Sequence, residues 1–136
     1  MKLLLDTHIL LWSLLEPKRL SRRVAKALSD TGNEIWISPV STWEILLLVA
    51  KRRLDILDVK GDGNVHRWVE EVLSRTSFRE APLTHEVVIG MHRIDLPHRD
   101  PADWFLAATA IGFGLTLVTA DENLIRGRGY SVLANK

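Results

Sequence analysis

Met1-Lys2-Leu3-Leu4-Leu5-Asp6-Thr7 is the stretch that decides how this chain is read: a short apolar run that stops on a carboxylate. Such a run describes a buried strand, and Ile9, Leu10, Trp12 and Leu14 after it describe a short helix closed by Pro17. The same motif returns late in the chain, where Thr116-Leu117-Val118-Thr119-Ala120 ends on Asp121. Working outward, further strands are expected at 34–38, 78–83 and 130–133. Helices are expected at 21–32, 41–54, 65–74, 84–94 and from Pro101 to Gly112 or Gly114, with a helical turn at 122–125. Strands alternating with helices predict an α/β fold around a mostly parallel sheet of four to five strands. In such a sheet the carboxyl ends of the strands share one edge, and ligands bind there.

The chain has 136 residues, which fits a single domain over 1–136. There is no cysteine, so disulfides and a thiolate zinc site are excluded, and a reducing cytoplasm suits the chain. The opening apolar run meets Asp6 too early for a signal peptide, and no apolar stretch approaches the ~20 residues that span a bilayer. A soluble protein is expected. Net charge is only +1, but bases cluster at Lys18, Arg19, Arg22, Arg23 and Lys26, and again at Lys51, Arg52 and Arg53. Such clusters are ordinarily solvated helix faces; they also suit a rim that holds a phosphate polymer. The loop at 58–64, with Gly61 and Gly63, is the clearest break in the pattern.

Four acids fall where elements change: Asp6, Glu44, Asp103 and Asp121. Each has a local explanation. Ser41-Thr42-Trp43-Glu44 reads as a capping box, Asp100 as the N-cap before Pro101 with Asp103 at the third helical position, and Asp6 and Asp121 as caps. Taken together they say more. Asp6 and Asp121 follow the two most apolar strands, where an unpaired carboxylate is costly, and Thr7 and Thr119 stand beside them. Carboxylates gathered at one edge repel unless a cation joins them. Oxygen donors of this kind suit Mg²⁺ or Mn²⁺, which polarise phosphoryl oxygens and lower the pKa of a bound water. His8 and His98 lie near this edge without the spacing of a zinc enzyme; His66, His85 and His92 read as surface positions. Trp12, Trp36 and Trp43 are expected in the core. Trp104 suits packing, or stacking on a base.

Leu5-Asp6-Thr7-His8-Ile9-Leu10-Leu11-Trp12 resembles the opening of a PIN-domain ribonuclease of the VapC type, the toxins of prokaryotic toxin–antitoxin pairs. Ser38-Pro39-Val40-Ser41-Thr42-Trp43-Glu44-Ile45 resembles that family's second acidic motif. His98-Arg99-Asp100-Pro101-Ala102-Asp103-Trp104-Phe105-Leu106-Ala107-Ala108-Thr109-Ala110 resembles the third, and Leu117-Val118-Thr119-Ala120-Asp121 the fourth. The motifs stand in the family's order over nearly the whole chain. The resemblance implies a PIN-like three-layer α/β/α fold and Mg²⁺- or Mn²⁺-dependent endoribonuclease activity, with Asp6, Glu44, Asp103 and Asp121 as catalytic metal ligands. Thr7, Asp100 and Thr119 would support those ligands, and Arg99, Trp104 and Arg126 would contact RNA. It further implies a homodimer and a small antitoxin partner. Trp104 stands where the family often has arginine, and Thr109 where it often has glutamine, both expected toward the substrate.

Two other phosphoryl-transfer classes fit less well. A haloacid-dehalogenase-type enzyme needs a second aspartate two residues after the first, and that position is His8. A receiver domain needs paired acids near the first strand and a late lysine, which are absent here. The alternative from a different class is a non-catalytic PIN-like module that binds RNA or protein.

Overall fold

The computed structural model describes residues 1–51 and 64–136. The expected bases Arg52 and Arg53, the helix end at 52–54 and the loop at 58–63 lie outside the described residues. Five parallel strands, β1 (Lys2–Leu5), β2 (Glu34–Ile37), β3 (Arg79–Glu80), β4 (Thr116–Thr119) and β5 (Ser131–Ala134), form one sheet in the order β3-β2-β1-β4-β5. Among the described residues there are seven α-helices: α1 (Thr7–Leu15), α2 (Arg22–Ser29), α3 (Pro39–Ala50), α4 (Val65–Arg75), α5 (His85–Ile89), α6 (Pro101–Phe113) and α7 (Glu122–Arg126).

Alternate residues of the central strands feed two cores, because side chains on a strand point to opposite faces. Leu3, Leu5 and Val118 pack with Ile9, Leu10, Val24, Ile45 and Trp68, from α1 to α4. Leu4 and Leu117 pack with Val87, Leu106, Ala107, Ala110 and Leu124, from α5 to α7. The sheet is thus covered on both faces, as a parallel sheet requires. Both faces being apolar is why β1 and β4 show no polar alternation in sequence.

The chain leaves β1 for β2 on one side and later returns to β4 on the other. The strand order therefore reverses between β1 and β4. That crevice is where ligands of open α/β sheets bind, and Asp6 and Asp121 are the residues just past those two strands.

Several expectations need correction. Ser38, not Ser41, caps α3: its hydroxyl accepts from the Val40 amide at 3.1 Å, and Pro39 takes the first helical position. A proline there loses no hydrogen bond, so the residue expected to end a strand begins a helix instead. Glu44 consequently sits more than a turn into α3 and caps nothing. The helix expected over 84–94 is α for only five residues and continues as a 3₁₀ turn, Gly90–Arg93. Of the residues expected to face inward there, Val87 is buried but Val88 is exposed. Trp43 is 49% exposed, and Trp68 is the tryptophan that enters the core. Thr109 is fully buried and its hydroxyl donates back to the Phe105 carbonyl at 2.7 Å, so it does not face a substrate.

Candidate active site

Asp6 anchors the site. Its amide donates to the Val118 carbonyl at 3.0 Å, extending the β1–β4 ladder by one residue and placing its side chain at the crevice. One carboxylate oxygen accepts from the Thr7 amide and the other from the Thr119 hydroxyl, each at 2.7 Å. Thr7 and Thr119 are both completely buried. The two strands are thus stitched together at their carboxyl ends by the carboxylate just past β1 and the hydroxyl of the last residue of β4.

The Thr7 hydroxyl donates to Glu44 Oε1 at 2.6 Å and lies 3.0 Å from Ser41 Oγ. This links the start of α1 to α3 and holds Glu44 toward Asp6. Local sequence does not mark Ser41 as a site residue, because Ser41-x-x-Glu44 matches a capping box. Only its burial beneath Thr7 reveals what the hydroxyl touches.

α6 brings Asp103 from the other face of the sheet. Asp100 caps that helix, its Oδ1 accepting from the Ala102 amide at 3.1 Å, and Asp103 follows at the third helical position, buried. Asp103 Oδ2 lies 2.6 Å from His98 Nε2. His98, Asp100 and Asp103 each offer one ligating atom, and those atoms all lie within 4.8 Å of one another. Asp121 caps α7, accepting from the Asn123 amide at 2.7 Å, while its own amide donates to the Thr119 hydroxyl. It stays exposed at the rim.

These carboxylates feel one another. Burial pushes the Asp6 carboxyl above its usual range; the Thr119 hydrogen bond, His8 and the Thr7 amide oppose the shift, and Asp121 adds to it. Burial likewise raises Glu44, against its Thr7 hydrogen bond and with help from Asp6 and Asp100. Asp103 is pushed up to about 7, first by burial; the His98 contact opposes this, and Asp100, Asp6 and Asp121 reinforce it. Tyr130, whose hydroxyl donates to the Leu124 carbonyl at 2.6 Å, is raised to about 12 by burial and then by Asp103 and Asp121. Among the described residues, no lysine or arginine pairs with Asp6, Glu44, Asp103 or Asp121. Burying like charges without a counter-charge is expensive. An oxygen-rich donor set lacking thiolates fits a hard divalent cation, which would relieve that cost.

The remaining candidates lie around this centre. Arg99 and Arg126 are exposed. Trp104 is half-buried on the second core, and its indole N–H donates to the His98 carbonyl at 2.8 Å, so its observed role is packing. His8 is exposed, its ring 5.9 Å from that of Trp12. The bases from Lys18 to Lys26 face solvent. Arg19 pairs with Glu16 at 3.2 Å and stacks over Trp12.

No helix among the described residues is long and apolar enough to cross a membrane. Ribonuclease VapC22 of Mycobacterium tuberculosis is 30% identical over 124 residues, covering 89% of this chain and 88% of the relative. The fold matches the VapBC2 complex of Rickettsia felis bound to a promoter DNA fragment, with a TM-score of 0.71 and 17% identity over 100% of both chains. It also matches FitAcB of Neisseria gonorrhoeae, with a TM-score of 0.66 and 23% identity, covering 98% of this chain and 97% of that one. The PIN domain family matches residues 3–129. A parallel five-stranded sheet whose reversal point gathers carboxylates, together with these likenesses, places the chain in the PIN-domain family, alongside its VapC-type members.

Proposed function

We propose that this protein is a divalent-metal-dependent endoribonuclease and the toxin of a toxin–antitoxin pair, acting in the cytoplasm. The observation that carries this reading is the set of carboxylates at the β1–β4 crevice, Asp6 and Asp103 buried and Glu44 half-buried, with Asp6 repelling both of the others. Asp6, Glu44, Asp103 and Asp121 would hold Mg²⁺ or Mn²⁺. When bound, such an ion offsets charge on the phosphoryl group and makes a water nucleophilic near neutral pH. Thr119 and the Thr7 amide orient Asp6, the Thr7 hydroxyl orients Glu44, and Asp100 fixes the start of the helix that carries Asp103. Arg99 and Arg126, exposed near the acidic centre in sequence, are the proposed contacts to RNA phosphates.

The test is cleavage of a panel of structured RNAs by the purified protein. Cuts are expected with Mg²⁺ or Mn²⁺ and none after EDTA. RNA that binds but stays uncut with every divalent metal would favour the non-catalytic binding module instead.

A small antitoxin is the proposed partner, supported by the VapBC complexes that share the fold. A homodimer is proposed through an apolar face built by α3, α5 and α6. Trp43, Leu83 and Val88 are exposed there, and Phe105 lines the same surface. Apolar side chains gathered in this way mark an association surface. Trp43→Glu would put a charge at its centre and is expected to convert the dimer to monomer in sedimentation experiments. A wild-type protein that sediments as a monomer would remove the dimer from this reading.

A further inference from the structure

We infer that His98 is a positioning residue for Asp103, holding one carboxylate oxygen so that the other is presented to a cation. This rests on the metal-site reading above. His98 Nε2 stands 2.6 Å from Asp103 Oδ2, a short contact of the kind made with a charged partner. Asp103 Oδ1 has no hydrogen-bond partner among the described residues, which leaves it available.

The imidazole is itself held in place. The Trp104 indole N–H grips the His98 carbonyl at 2.8 Å. The loop leading to His98 is pinned at its base by a pair of hydrogen bonds, Asp95 amide to Arg128 carbonyl at 3.1 Å and Arg128 amide to Asp95 carbonyl at 2.8 Å. Buried Ile94 and Leu96 anchor it to the second core. Gly129 permits this clamp: its φ is +103°, and a Cβ there would lie 2.3 Å from the Arg93 carbonyl oxygen.

Among the described residues, His98 Nδ1 is buried without a hydrogen-bond partner. An unpaired N–H at that atom would be costly, whereas a lone pair is tolerated more easily. A ring proton placed on Nε2 meets Asp103 as its acceptor and leaves only a lone pair at Nδ1. The pair is a hydrogen bond that sets the carboxylate's direction. Groups that orient ligating side chains in this way commonly change metal affinity about 10–100-fold when removed.

The experiment measures Mn²⁺ binding to the full chain by calorimetry and by electron paramagnetic resonance, with melting temperature as a check on folding. His98→Ala removes the donor. His98→Asn also removes it, with an amide too short to reach Asp103, and decides the matter should the alanine variant misfold. His98→Gln keeps a donor close to the position of Nε2. Weakening of Mn²⁺ affinity by about tenfold or more is expected for the first two, with most of it recovered in His98→Gln. Cleavage by His98→Ala should return toward the wild-type rate as Mn²⁺ is raised, which loss of a catalytic residue would not allow. Wild-type affinity in His98→Ala or His98→Asn overturns the inference and leaves the metal site standing. Equal loss in His98→Gln also overturns it, making His98 a ligand rather than a support. A wild-type protein that binds no Mn²⁺ removes the metal site and this inference together.

Discussion

Asp6→Asn is expected to lower RNA cleavage by about 10³-fold or more while the protein stays folded. Asp6 is buried at the reversal point of the sheet, and both of its oxygens are already oriented, by the Thr7 amide and the Thr119 hydroxyl. An asparagine occupies the same volume. Its carbonyl can still accept from Thr7, and its amide can face the Thr119 oxygen once that hydroxyl rotates. What disappears is the charge. Several kcal/mol of transition-state stabilisation are attributed to a bound metal in phosphoryl chemistry, and each ~1.4 kcal/mol is worth tenfold in rate. The measurement is the single-turnover rate at saturating Mn²⁺, with circular dichroism confirming the fold. A well-folded variant that cuts RNA at the wild-type rate would remove Asp6 from the site.

Asp103→Asn should make the metal-free protein more stable above neutral pH, not less. The Asp103 carboxyl is raised from its ordinary 3.8 to about 7 by burial and by neighbouring acids. A folded state with the higher pKa binds the proton more tightly than the unfolded chain does. The associated stability is fully present below about pH 4 and is lost as the pH rises through 7. Asp6 and Glu44, raised in the same direction, add to the trend. The melting temperature of the metal-free wild type should therefore fall between pH 5 and pH 8. Asparagine cannot ionise, and its carbonyl still accepts from His98 Nε2. The variant should gain on the order of 1–2 kcal/mol at pH 8, about 3–8 °C for a chain of this size. Mn²⁺ should raise the wild-type melting temperature at pH 8 and raise the variant's far less. A flat wild-type profile in the absence of metal, or a destabilised Asp103→Asn, would contradict the electrostatic account.

Much of this centre is legible from local sequence, and the reason differs from residue to residue. β1 and β4 are mostly apolar because both of their faces are covered, and a carboxylate shortly after such a strand has to be explained. Asp100 and Asp121 read as caps and are caps, since capping depends only on the neighbouring amides. Where a contact spans the chain, local reading fails. Ser41 reads as the cap because Glu44 completes a capping box, yet Pro39 is accepted at the opening of the helix and the cap falls on Ser38. Freed from capping, Ser41 meets Thr7, which lies 34 residues earlier. Trp43 and Trp68 are equally apolar in sequence. Which one enters the core depends on how α3 and α4 are rotated against the sheet. His98 carries no metal-ligand spacing, and its meeting with Asp103 depends on a loop clamped by a distant turn.

The amino-acid sequence by itself determined the class of the fold, the strands that carry Asp6 and Asp121, and the oxygen chemistry of the donor set. These follow from short-range rules: apolar runs make buried strands, carboxylates favour helix starts, and cysteine is absent. Only the tertiary structure decided that Glu44 and Asp103 feel the charge of Asp6, that Thr7 bonds Glu44, Thr119 bonds Asp6 and His98 meets Asp103, and that Trp43 stays exposed. The physical reason is that convergence is set by the packing of helices on both faces of one sheet. Residues more than a hundred positions apart, Asp6 and Thr119, come within a hydrogen bond of each other because the sheet order reverses between their strands.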